Sequence, residues 1–93
     1  MDFYSLAARK AGRAMEPFLI DIVPGKNGEK VPSSHEGEEF IYVMNGSIKV
    51  NYGAETHVLN KGDSIYYDSI VDHLITAATD EPAQILAVVY SPF

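Results

Sequence analysis

Turn signals recur through this chain at intervals that leave room only for short strands. The clearest is Asn45-Gly46, set between the apolar runs EFIYVM (39–44) and SIKVNY (47–52). Asn-Gly in that setting predicts a two-residue hairpin, because both central positions of such a turn favour positive φ. Further breaks fall at Pro24-Gly25-Lys26-Asn27-Gly28, at Asn60-Lys61-Gly62-Asp63 and at Asp80-Glu81-Pro82. Between them lie PFLIDIV (17–23), Thr56–Leu59, Ser64–Tyr67, His73–Thr79 and Ala83–Tyr90, all rich in β-branched or aromatic residues. EKVPSS (29–34) reads as a short extended piece that Pro32 confines to an edge. Seven or eight short strands at this spacing predict an all-β sandwich or barrel. Residues 1–14 carry a weak helical pattern broken at Gly12; Phe3, Tyr4 and Leu6 are better suited to covering an apolar sheet edge or a partner.

The strands differ in how they divide their faces. In SIKVNY, Ile48, Val50 and Tyr52 face one way and Lys49 and Asn51 the other. EFIYVM and QILAVVY (84–90) are apolar on both faces. They must be covered on both sides, by a second sheet and by a terminal segment or a second subunit. A homodimer is therefore expected.

Composition narrows the function classes. Ninety-three residues suffice for one domain. There are no cysteines, which removes disulfides, thiolate nucleophiles and Cys-type metal sites and is compatible with a reducing cytoplasm, the expected location. Net charge is −6, and beyond Arg13 only four lysines face twelve acidic residues, so nucleic-acid binding by these residues is not expected. No apolar run is long enough to span a membrane as a helix.

Three histidines are present, His35, His57 and His73. His57, beside an acidic turn, reads as a surface residue. His35 and Glu39 would stand roughly 13 Å apart in a continuous strand. A reversal at Glu36-Gly37-Glu38 would let them converge, and His73 begins a later strand. Two imidazoles and one carboxylate with open positions suit a non-haem iron or catalytic zinc site. The alternative is that the same groups satisfy one another by hydrogen bonding in a polar pocket.

These residues resemble a known family. HEGEEFIYVMNG (35–46) is similar to the first cupin motif, a His, three residues, a Glu, six residues and a Gly, here His35, Glu39 and Gly46. LNKGDSIYYDSIVDH (59–73) is similar to the second, opening at Gly62 and ending on His73. The resemblance covers residues 15–90 and implies a double-stranded β-helix, the cupin jelly-roll barrel. It divides the chain into an N-terminal approach strand or linker remnant at 1–14 and a cupin domain at 15–93. A narrower resemblance, through MEPFLIDIVPG (15–25) and the two motifs, is to the sensory cupin that follows a helix-turn-helix in bacterial transcription regulators.

The resemblance implies a divalent ion (Zn, Fe, Mn or Ni) on His35, Glu39 and His73. It also marks departures. Ser33 stands where the family has a further histidine, Asp68 and Ile70 where it has Pro and Gly, and Ala77 where it has Asn. The ligand set is thus incomplete. Ser33, Tyr42, Tyr66 and Tyr67 are expected to contact a small-molecule ligand near the barrel mouth. The expected function is small-molecule sensing or binding, as the regulatory part or a stand-alone relative of a transcription regulator. A metal-dependent dioxygenase or isomerase and a purely dimerising domain are the alternatives.

Overall fold

A computed structural model describes residues 2–5, 15–25 and 36–90. The expected edge piece at 29–34, the ligand candidates Ser33 and His35, and residues 6–14 lie outside the described residues. Eight strands follow in order: β1 (Asp2–Ser5), β2 (Met15–Ile22), β3 (Glu38–Asn45), β4 (Ser47–Tyr52), β5 (Glu55–Asn60), β6 (Ser64–Asp68), β7 (His73–Ala77) and β8 (Ala83–Tyr90). They form a five-stranded sheet, β1-β2-β8-β3-β6, and a three-stranded sheet, β5-β4-β7, all neighbours antiparallel. The described residues contain no helix, so the all-β jelly-roll expectation holds. Where the sequence hinted at helix, Asp2–Ser5 instead pair with Phe18–Asp21. Four residues there complete the ladder of β2, whose outer edge would otherwise expose unpaired backbone groups.

The Asn45-Gly46 hairpin does not form. β3 pairs with β6 and β8, β4 with β5 and β7, so the two strands flanking Asn-Gly lie in different sheets. The dipeptide is a corner where the chain crosses between them. Asn45 stays in β3, and only Gly46 has positive φ, at 76°. The two-residue hairpin lies one strand later, at Gly53-Ala54, where Tyr52 pairs with Glu55 and Gly53 has φ 56°. Glycine at the first central position suits a type II′ turn.

Pleat alternation decides what faces inward. Glu39, Ile41 and Val43 of β3 point inward, with Ala83, Ile85 and Ala87 of β8 and Tyr67 of β6; Ile48 and Val50 of β4 meet them from the other sheet. Ile41, Val43, Ile48 and Val50 have no exposed surface. Intervening residues form an outer face on the five-stranded sheet. In register, Pro17, Val88, Phe40 and Tyr66 make one row and Leu19, Leu86, Tyr42 and Ser64 the next. This is why EFIYVM and QILAVVY are apolar on both sides.

A methyl group on Gly46 would lie 2.7 Å from the Pro82 carbonyl oxygen and 2.9 Å from Ala83 Cα, in a backbone region that side chains rarely adopt. Gly46→Ala should therefore cost on the order of 1–3 kcal/mol. A lowered urea midpoint with an unchanged slope would show it; an unchanged midpoint would mean the corner can relax.

Candidate functional site

Glu39 is the second residue of β3, where its side chain enters the barrel. Its register partner on β6 is Tyr67. The chain turns just before, at Gly37, whose φ is 112° and whose carbonyl accepts the Ser69 amide at 2.9 Å. That bond sets the end of β6 against the start of β3 and leaves Ser69 fully buried. His73 opens β7 in the other sheet, paired with Tyr52. The two sheets thus each contribute one ionisable group to a shared interior, with Glu39 7% and His73 5% exposed.

Both carboxylate oxygens are engaged. Tyr67 Oη donates to Glu39 Oε2 at 2.8 Å, and Ser69 Oγ donates to Oε1 at 3.2 Å. His73 Nε2 lies 3.0 Å from the same Oε1. His73 Nδ1 is 2.8 Å from the Val71 carbonyl oxygen. A carbonyl only accepts, so Nδ1 carries a hydrogen and Nε2 is the nitrogen presented to Glu39. The Tyr67 ring packs against both the His73 imidazole and the Tyr52 ring, each with centroids 5.1 Å apart and planes at 52°. Tyr52 Oη donates to the Asp68 carbonyl at 3.2 Å. Burial first, then the Glu39 charge and the bond to it, then Tyr52, push the Tyr67 phenol well above its ordinary range. It therefore acts as a neutral hydrogen-bond donor.

The tyrosines expected together at the mouth are divided between two faces. Tyr67 is buried inside, with its hydroxyl on Glu39. Tyr66, one residue earlier, points outward and is 66% exposed; Tyr42 is also outward and 40% exposed. Consecutive strand residues face opposite ways, so Tyr66 and Tyr67 cannot line one pocket. Tyr66 instead borders an outer hollow of about 580 Å³, with Met15, Glu38, Phe40, Val88 and Tyr90. His57 is on the surface, paired with Glu55 at 2.9 Å. Two contributors, Ser69 and Tyr52, were not among the expected site residues. Ser69 sits in a turn and carried no signal; Tyr52 was legible through its alternation with Ile48 and Val50.

The donors present suit a divalent cation in part. An imidazole whose Nδ1 is bonded to a backbone carbonyl would offer Nε2 to a metal only in exchange for its present contact with Glu39 Oε1. A carboxylate oxygen beside it adds the kind of ligand that borderline dications accept. Among the described residues, no three His, Cys, Asp or Glu side chains gather into a metal-holding group. His35, the third expected ligand, lies outside them.

Residues 18–89 match the cupin domain family, and the chain belongs to it. It is 28% identical over 86 residues to (S)-2-hydroxypropylphosphonic acid epoxidase of Streptomyces wedmorensis, covering 84% of this chain and 43% of the relative. A crystal structure of HppE in its Co(II) form with Tris superposes with a TM-score of 0.81 at 26% identity, over 96% of this chain and 52% of that one. An HTH_3 family transcriptional regulator from Vibrio cholerae superposes with a TM-score of 0.80 at 26% identity, over 98% of this chain and 51% of that one. The chain thus spans about half the length of these relatives. No helix among the described residues is long and apolar enough to cross a membrane.

Glu39→Ala would leave Tyr67 Oη, Ser69 Oγ and His73 Nε2 without their shared acceptor. We expect a stability loss on the order of 1–3 kcal/mol, read by chemical denaturation. Glu39→Gln, which retains an acceptor oxygen, should lose less. Equal losses would mean that volume, not hydrogen bonding, holds the cluster together.

Proposed function

We propose that this cupin domain is a small-molecule-binding, regulatory module: the ligand-sensing part of a transcription regulator, or a stand-alone relative of one. Its binding centre is Glu39 and His73, joined by His35, which can take a divalent metal ion but does not require one. The observation that carries this reading is the buried carboxylate–imidazole pair, one group from each sheet, held 3.0 Å apart inside the barrel. Buried polar groups cost stability unless paired. A pair so enclosed, with a tyrosine and a serine fixing the carboxylate, has the form of a pre-organised recognition site. The resemblance to the Vibrio cholerae regulator supports the regulatory assignment. A cytoplasmic setting accords with that role.

The test is thermal unfolding of protein purified without chelators, against Zn, Fe(II), Mn and Ni ions and a panel of small metabolites. A ligand at about a hundredfold over its Kd adds roughly 2.7 kcal/mol, which raises Tm on the order of 10–20 °C in a domain of this size. Glu39→Gln and His73→Ala should remove the rise. No shift with any ion or metabolite would overturn the reading.

A metal-dependent enzyme is the second reading, favoured by the likeness to the S. wedmorensis epoxidase and to HppE in Fe(II) and Co(II) forms. Turnover of a hydroxylated acid by the metal-loaded protein would select it. Binding of the ion and the small molecule without turnover would select the sensor.

The module is proposed to act as a homodimer through the outer face of the five-stranded sheet. Leu86, between Leu19 and Tyr42 in register, is the residue to probe. Leu86→Glu should convert dimer to monomer in analytical ultracentrifugation. A wild-type protein that sediments as monomer at micromolar concentration would refute dimerisation.

A further inference from the structure

The hollow on the outer face of the five-stranded sheet gathers side chains that the polar centre does not use. Pleat alternation decides which ones. Met15, Tyr90, Glu38 and Asp68 are register partners in the last outward row across β2, β8, β3 and β6; Pro17, Val88, Phe40 and Tyr66 make the next outward row. Apart from Glu39, whose side chain turns inward, the residues bordering the hollow are Met15, Glu38, Phe40, Tyr66, Val88 and Tyr90. Cross-strand neighbours have Cβ atoms about 5 Å apart, and successive outward rows are about 7 Å apart, so three aromatic rings and a carboxylate fall within roughly 12 Å of one another. Tyr66 and Tyr90 are exposed. Among the described residues, none of the three rings packs against another ring. Among the same residues, the Glu38 carboxylate has no ion-pair or hydrogen-bond partner. Lys49 is on the other sheet, and Lys61 is in the Asn60–Asp63 turn. Asp68, the register partner of Glu38, brings a second carboxylate to the same end of the face.

We infer that this hollow is a binding site for a small organic ammonium ion, held against the rings of Phe40, Tyr66 and Tyr90 with Glu38 balancing its charge. The face of a tyrosine or phenylalanine ring is its negative side and attracts a cation, and clustered rings are a recurrent means of holding quaternary ammonium groups. An anion would be repelled by Glu38 and Asp68. A neutral apolar ligand would cover the Glu38 carboxylate without compensating its lost hydration. The volume, about 580 Å³, suits a small molecule. This site is separate from the Glu39–His73 pair, which lies on the inner face of the sheet, and does not depend on how that pair is read. The row of Leu19, Leu86 and Tyr42 proposed for dimer contact comes next along the outer face, so the hollow occupies the end of that face rather than its middle.

The experiment titrates choline into the whole chain and follows backbone amide signals by NMR, with 3,3-dimethylbutanol as an uncharged counterpart of the same shape. Choline should shift the amides of Glu38, Phe40, Tyr66 and Tyr90 and reach saturation. The uncharged alcohol should bind more weakly by about fivefold or more, because it keeps the shape and loses the charge. Tyr66→Leu and Glu38→Gln alter side chains on the outer face and leave the core untouched. Each should raise the Kd for choline by about two- to fivefold, the range for one ring or one ion pair near the surface. Equal affinity for choline and the alcohol would overturn cation recognition. Choline shifts that do not saturate, or a Kd unchanged in both variants, would overturn the site.

Discussion

The Glu39 carboxylate faces His73 Nε2 across the barrel interior and, with the Tyr52 Oη bond to the Asp68 carbonyl, ties the two sheets together through polar contacts. Apolar packing between the sheets is non-directional and would tolerate many relative placements. Hydrogen bonds of this length are not so permissive. For Oε1 to meet Nε2, the start of β3 and the start of β7 must come together at one end of the barrel. For Oε2 to meet Tyr67, β6 must hold its register on β3. The Val71 carbonyl and the Gly37–Ser69 backbone bond then fix the turns that deliver His73 and Ser69. Sheet pairing, turn geometry and the polar centre thus constrain one another.

The two faces of the five-stranded sheet have different tasks. Inward, Ile41, Val43, Ile85 and Ala87 build an apolar core that runs up to Tyr67, the register partner of Glu39. Outward, Phe40, Leu86 and Val88 form an apolar surface with a hollow whose border includes Glu38. Both faces are served by the same few strands, so the sequence of β3 and β8 has little freedom for polar residues on either side.

Much of this was legible in the sequence. Strands β2 through β8 fall close to the apolar runs, because the turn residues between those runs are unambiguous. Glu39 and His73 emerged from the spacing of the two cupin motifs, and the structure brings them together. Two readings failed for local reasons. Asn45-Gly46 has hairpin chemistry, but a dipeptide cannot report whether its flanking strands pair with each other or with more distant ones, and here β6 and β8 compete successfully for β3. The tyrosines were grouped by nearness in sequence, whereas a strand sorts its residues by odd and even position. Anchoring the count on Glu39, with Tyr67 as its cross-strand neighbour, would have separated Tyr67 from Tyr66 and Tyr42. The pairing of Asp2–Ser5 had only two adjacent aromatics to announce it.

That sorting has a corollary. Tyr66 and Tyr67 are chemically interchangeable, and only the phase of the pleat makes one an interior donor and the other a surface ring. Slipping β6 by a single position would expel Tyr67 and bring Tyr66 and Asp68 inside, setting a second carboxylate near the first. The Asn60–Asp63 turn helps hold that phase, its Gly62 amide bonded to the Val43 carbonyl and the Val43 amide to the Asp63 carbonyl.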